Sequence, residues 1–200
     1  MTVKQCCGLL HPWDARHIEN KWVPENLRVY IIGENPGDAN SAYFYDPPPG
    51  SSDPIWVRRN LLSGLYKVGL IQEPTLTAFF DAGFLFDHAI RCPLPADEIK
   101  AERRRANTYS SPRAEVSEHI REWASHTSVV WAMGQIARNS VTLLFESIPR
   151  DCRKISEGPY EFAISDGPTV FVSQYLTHMS VNAAKKICES LSGLLQRLGK

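Results

Sequence analysis

Residues Leu27–Ile32 read Leu-Arg-Val-Tyr-Ile-Ile, and at Gly33 the chain breaks into Gly-Glu-Asn-Pro-Gly-Asp-Ala-Asn-Ser-Ala-Tyr-Phe-Tyr-Asp-Pro-Pro-Pro-Gly, ending at Gly50. The first part is apolar and β-rich without alternation, the pattern of a strand buried on both faces. The second is dense in Gly, Pro, Asn and Asp and has to be a loop. A loop of that length directly after a core strand is usually functional or disordered. Tyr43, Phe44 and Tyr45 favour an ordered one.

Working outward, Phe84–Cys92 (FLFDHAIRC) reads as a second strand, ended by Pro93-Leu94-Pro95. Ser128–Met133 (SVVWAM) reads as a third, with Gly134 opening a helix to about Phe145. Helical spacing of apolar residues predicts helices over Ile55–Val68, Ala114–His126 and Asn182–Leu198. A short helix fits Thr75–Ala82 with Thr75 as N-cap. Glu161–Ser165 and Thr169–Ser173 flank Asp166-Gly167-Pro168, either as a hairpin or as a pair of edge strands. Residues 1–26 show no clear period and read as a lead-in arm with room for one short helix. Ala96–Pro112 is polar, is expected as a loop, and carries the run Lys100, Arg103, Arg104, Arg105. Strands alternating with helices, each strand a continuous apolar run, predict an α/β fold: three α/β/α layers around a mostly parallel central sheet. The whole chain, residues 1–200, is expected as one such domain. In such sheets ligands bind at the carboxyl ends of the strands, so Gly33–Gly50, His88–Pro95 and the stretch around His178 should converge.

Lys+Arg and Asp+Glu number 22 each, so the net charge is zero, which excludes a uniformly basic coat but leaves room for a local basic face. Hydrophobic residues at 43% and charged residues at 22% are ordinary for a globular domain and argue against disorder and coiled coil. No apolar run suits a signal peptide or a membrane span. Five cysteines without regular spacing suit a reducing interior better than a disulfide framework. A cytoplasmic, monomeric protein is the expectation.

Three segments carry chemistry. Asn35, at the apex of Gly33-Glu34-Asn35-Pro36-Gly37, cannot take a proton as a carboxylate would but can hold a water by hydrogen bonds; the same residues also read as a plain turn. No Walker lysine and no Gly-x-Gly-x-x-Gly is present, which removes support from phosphate-cradling classes. His178-Met179-Ser180 precedes the last helix. Ser180 is a natural N-cap there, placing His178 beside a helix N-terminus, where anions are stabilised; a structural histidine held by backbone is the alternative. Asp87–Pro95 ends a strand with polar side chains, and His88 either reads a ligand edge or closes a hydrogen bond to the neighbouring strand.

The combination is more specific than its parts. Gly33-Glu34-Asn35-Pro36-Gly37 after a strand, then Ala89-Ile90-Arg91-Cys92-Pro93-Leu94-Pro95, then Val129–Ala137 and a His-x-Ser, resembles the uracil-DNA glycosylase superfamily in order and spacing from Leu27 to Leu198. Gly-Glu-x-Pro-Gly and Arg-Cys-Pro-x-Pro look like the family 4 and 5 enzymes; Asn-Pro-Gly looks like the mismatch-specific and single-strand-selective ones. The resemblance implies a monofunctional glycosylase that hydrolyses the N-glycosidic bond of uracil or another deaminated base in DNA. A non-catalytic relative that binds nucleic acid or a nucleobase is the alternative. It further implies that Asn35 positions the hydrolytic water and that His178 stabilises the departing base. Glu34, Gly37 and Asp38 would wall the pocket, Phe44 (or Tyr45) would stack on the base, and Arg91 and Ser180 would contact DNA. The charge run, joined by Arg58 and Arg59, would form a basic face, although such runs are usually just solvated.

The chain also departs from the family pattern. His88 stands where the family has its base-reading asparagine, and His-Pro-Ser reads His-Met-Ser. Cys92 matches one ligand of the iron–sulfur cluster of families 4 and 5, but Cys6 and Cys7 are adjacent and no cysteine lies between Cys92 and Cys152. No cluster, metal or nucleotide cofactor is therefore expected. If His88 selects the base, His88→Asn should shift preference towards uracil in a cleavage panel of uracil, hypoxanthine and xanthine substrates; an unchanged profile makes His88 structural.

Overall fold

The computed structural model describes residues 4–6, 9–11, 20–36, 44–45, 56–92, 94–108, 118–150, 155–176 and 179–199. A small antiparallel hairpin, β1 (Lys4–Cys6) and β2 (Leu9–His11), stands in the arm where only a short helix was expected, and Asn20–Trp22 adds one turn of 3-10 helix. The main sheet is built from β3 (Val29–Gly33), β4 (Phe84–His88), β5 (Val129–Met133), β6 (Tyr160–Ala163) and β7 (Thr169–Ser173). Its strand order is β4-β3-β5-β7-β6, with β6 alone antiparallel to its neighbour. Thr169–Ser173 is thus an interior strand, so the last two strands form a hairpin whose turn holds Asp166 at φ 56°.

Every residue of β3, β4 and β5 is buried, which explains their unbroken apolar reading. Alternate side chains serve two separate cores. Val29, Ile31, Phe84, Phe86, Trp131 and Phe171 pack under α1 (Trp56–Lys67), α2 (Leu76–Asp81) and α6 (Val181–Arg197). Tyr30, Ile32, Leu85, Val130, Ala132 and Val172 pack under α3 (Ala96–Asn107), α4 (Glu118–Ala124) and α5 (Gln135–Leu144). The result is three layers, α/β/α. Thr75 caps α2, its hydroxyl accepting from the Ala78 amide, and Ser180 caps α6 by accepting from the Ala183 amide, as the sequence reading had it.

The polar stretch after β4 is a helix, α3, not a loop. Asp97 and Glu98 occupy its first turn and Arg104 and Arg105 its last, so its charges complement the helix dipole. Glu102 and Ala106 lie buried on its inner face. Its apolar side is narrow, Ala106 in the second core with Ile99 packed against it, and the Arg103–Glu34 and Arg105–Glu102 ion pairs stand beside it.

β4 is an edge strand, and its outer edge is closed by one side chain. The Tyr45 hydroxyl donates to the Phe86 carbonyl (2.6 Å) and accepts from the Phe86 amide (2.8 Å), while Trp22 stacks on the ring. A buried strand edge needs such partners, since an orphaned backbone group costs about 1–3 kcal/mol. Tyr45→Phe should therefore lower the urea-unfolding free energy by about 1–3 kcal/mol, with a native-like circular dichroism spectrum.

Candidate functional site

The sheet changes direction between β3 and β5: the chain leaves β3 towards β4 on one side, and leaves β5 towards β7 on the other. In open α/β sheets, ligands bind beyond the carboxyl ends of the strands at such a point. Gly33 ends β3 in register with His88. A Cβ added at Gly33 would stand 2.8 Å from the Phe86 ring, 3.4 Å from the His88 ring and 3.4 Å from the Tyr175 ring. The end of β4 and Tyr175 therefore meet at this glycine, while His178 itself lies outside the described residues. Asn35, mostly buried, ties the end of β3 to the chain beyond β4: its Nδ2 donates to the Ile90 carbonyl (3.2 Å) and to that of Cys92. With the amide plane so held, a water oriented by Asn35 has to donate to Oδ1.

Glu34 is built in more deeply than a wall of backbone. Its carboxylate is 3% exposed as a residue, accepts from the Gln135 amide (2.7 Å) and the Ile136 amide (3.3 Å), and pairs with Arg103 at 2.6 Å. The first turn of α5 is an anion site, and the protein fills it with its own carboxylate. Gly134 makes room for it. Its φ of 92° suits glycine alone, and a Cβ there would lie 2.6 Å from Glu34 Oε1.

The end of β4 splits its polar residues between the two layers. His88 is buried on the α1 side, edge-on to Phe86 at 5.0 Å between ring centres. Asp87 is fully buried on the other side, among Tyr30, Arg91 and His119. Tyr30 donates to it at 2.9 Å, Arg91 at 2.6 Å, and the His88 amide at 2.7 Å; His119 Nε2 donates to the His88 carbonyl at 2.9 Å. Burial alone would raise the Asp87 pKa, but the charges of Arg91 and His119 and the bonds from Arg91 and the His88 amide outweigh it and hold the carboxyl below its ordinary value. Burial first, then the neighbouring Asp87 charge, pushes Tyr30 well up. Arg91, expected at DNA, thus has Nε and Nη2 engaged by Asp87.

The basic face is smaller than the sequence suggested. Arg58 is 3% exposed and donates to the Phe44 carbonyl at 2.7 Å, while Arg103 pairs with Glu34 and Arg105 with Glu102 at 2.7 Å. Arg59, Lys100, Arg103, Arg104 and Arg105 are all exposed, Arg103 and Arg105 within those ion pairs, so only Arg58 is withdrawn from the surface. Phe44 is itself buried, one face stacked on Phe86 at 4.1 Å between ring centres. Cys92 is buried and disulfide-bonded where free thiols were expected. Cys188 is a buried free thiol, its pKa pushed up to about 12 by burial and then by the Glu189 charge. Gly37, Asp38 and His178 lie outside the described residues, as do Cys7, Cys152 and Pro93.

Sequence reading missed Tyr30, His119, Tyr175 and Asn60, and gave Arg103 to a basic face without its Glu34 partner. Two had a signal: a tyrosine in the apolar run Leu27–Ile32 needs a hydroxyl partner, and Asn60 lies on the same helical stripe as Val57 and Leu61. Among the described residues no cluster of His, Cys, Asp or Glu is placed to hold a metal ion, and no helix is long and apolar enough to cross a membrane. Compared with known proteins, the chain matches no protein-family model and no curated sequence.

A carboxylate with a lowered folded pKa stabilises fully above its unfolded value, and that stability is lost as pH falls through the folded one. The stability gap between wild type and Asp87→Asn, about 3 kcal/mol near neutrality as for a broken buried pair, should therefore narrow as pH falls below the ordinary aspartate range. Urea midpoints across pH check this; a constant gap assigns the effect to geometry and not charge.

Proposed function

We propose that this chain is a DNA glycosylase that hydrolyses the N-glycosidic bond of uracil, or of another deaminated base, and leaves an abasic site for base-excision repair. On this reading its three-layer sheet is the uracil-DNA glycosylase variant of the α/β/α architecture, acting as a monomer. The observation that supports it best is the convergence at Gly33. The residues that resemble the glycosylase motifs lie far apart in sequence, and Asn35, His88 and the segment leading into Ser180 are gathered at one end of the sheet.

The chemistry follows from what such a site can supply. The target nucleotide leaves the base stack, at a cost of a few kcal/mol, and its base enters the site beyond the carboxyl ends of the strands. As the bond to the sugar lengthens, positive charge gathers on the sugar and negative charge on the base. Asn35 orients a water against the sugar carbon, and that water adds as the base departs with the bonding pair. His178, preceding a helix whose N-terminus favours negative charge, donates a hydrogen bond to the base oxygen where that charge develops; losing one such donor costs about 10²–10³ in rate. His88, buried beside Gly33, offers one donor and one acceptor to the base edge. Exposed Lys100 and Arg104, on α3 behind Arg103, are available to DNA phosphates.

One observation favours the second reading, binding without cleavage: the Asn35 amide already braces the Ile90 and Cys92 carbonyls, a structural task in its own right. A single-turnover assay separates the two, using labelled single- and double-stranded oligonucleotides that carry uracil, hypoxanthine or xanthine. Cleavage by wild type, lost by at least 100-fold in Asn35→Ala with binding retained, supports the glycosylase. Absence of cleavage with salt-sensitive binding supports the binder.

A further inference from the structure

We infer that His119, on α4, is a positioning residue for His88, fixing the backbone from which the base-reading imidazole projects. This rests on the glycosylase reading. β4 has a strand neighbour on one side only. Phe86 turns its amide and carbonyl to the uncovered edge, where both meet the Tyr45 hydroxyl, and His88, two residues on, turns its own the same way. Side chains meet these as well. The His88 amide donates to Asp87 Oδ1 at 2.7 Å, and the His88 carbonyl accepts from His119 Nε2 at 2.9 Å. A carbonyl can only accept, so Nε2 carries the hydrogen, and Asp87 Oδ2, 3.8 Å from the same nitrogen, favours it there.

The carboxylate is fixed in its turn. Arg91 donates to it from Nε at 3.2 Å and from Nη2 at 2.6 Å, and Tyr30 donates to it at 2.9 Å. A buried ionic cluster is a poor source of stability, since apolar residues of the same volume often serve as well or better. What this cluster does is local: its outer bonds close on the two peptide groups of one residue. The side chain of that residue stands on the opposite face of the sheet, beside Gly33 and edge-on to Phe86. A strand end held along one edge can twist about its own axis, and a small rotation of the backbone carries the tip of an imidazole through a larger arc. β3 restrains the inner edge, where the Ala89 amide donates to the Gly33 carbonyl at 2.8 Å. His119 restrains the outer edge. The ring is thus aimed by a side chain on the other face of the sheet.

Single-turnover cleavage of oligonucleotides carrying uracil, hypoxanthine or xanthine tests this, comparing wild type with His119→Ala, His119→Asn, His119→Gln, His88→Ala and the His119→Ala/His88→Ala double variant. A group misplaced by about 1 Å loses about 10²-fold, so His119→Ala should slow cleavage of the best base about 10- to 100-fold. A polar site discriminates through hydrogen bonds that depend on placement, so the ratio of rates on the best and second-best base should also move at least about fivefold towards one. His119→Asn, whose amide stops one carbon short of the carbonyl, should move the ratio the same way and keeps the comparison open if the alanine variant fails to fold. His119→Gln, whose amide donates at the reach of Nε2, should stay within about threefold of wild type. In the His88→Ala background, removing His119 should cost less than about threefold, because a residue that acts only through another has nothing left to lose. Equal losses on every base, or losses that multiply in the double variant, would make His119 a general stabiliser and overturn the inference while the glycosylase stands. A wild type that cleaves none of the three bases overturns the glycosylase reading itself, and the positioning role with it.

Discussion

Glu34 places a carboxylate almost out of reach of water, and a buried anion persists only where donors surround it. Here they come from two directions: two backbone amides at the start of α5 and the guanidinium of Arg103 on α3. That single group therefore joins the end of β3, the start of α5 and the length of α3. The next residue is Asn35, whose amide braces the Ile90 and Cys92 carbonyls. A loop rich in Gly and Pro has many conformations to lose. Anchoring the chain at Glu34 restrains the backbone that leads into Asn35. Gly134 is the counterpart of this arrangement, leaving the space and the backbone angle that the carboxylate requires.

The same end of the sheet sorts its polar groups by face. Successive strand residues point to opposite sides, so Asp87 and His88 are separated by the thickness of the sheet although they are neighbours in sequence. Asp87 is consumed by structure, bonded by Tyr30, Arg91 and the His88 amide. His88 is left facing Gly33 and Phe86 in the α1 layer. The two are still coupled: His119, close to Asp87, donates to the His88 carbonyl, so the charged cluster on one face helps set the backbone that carries the histidine on the other.

Charge is arranged with similar economy. The chain is neutral overall, and several of its arginines are engaged by carbonyls or carboxylates: the buried Arg58 by Phe44, Arg91 by Asp87, and the exposed Arg103 by Glu34. An arginine used in this way ties loops to helices through a rigid fork of donors. Paired with a carboxylate, such a group contributes little to a long-range positive field.

The amino-acid sequence by itself determined the strands of the main sheet, most of the helices beside it, and the caps at Thr75 and Ser180. Those features are written in local signals: continuous apolar runs, helical spacing, and hydroxyl or glycine residues at boundaries. Tertiary structure alone decided which polar residue serves which partner. Nothing near Arg58 in sequence says that it will meet the Phe44 carbonyl, and nothing near Arg103 names Glu34 as its partner. The charge run on α3 looked like a solvated loop because the apolar face of its helix is narrow, little more than Ile99 and Ala106, and only the fold supplies the core that covers it. Asn60 is the clearest case. Its place among apolar residues announces a buried amide, but the carbonyls it holds lie more than a hundred positions further along the chain. A hydrogen bond depends on distance in space, and between residues so far apart only the packing of α1 against α6 brings the two within reach.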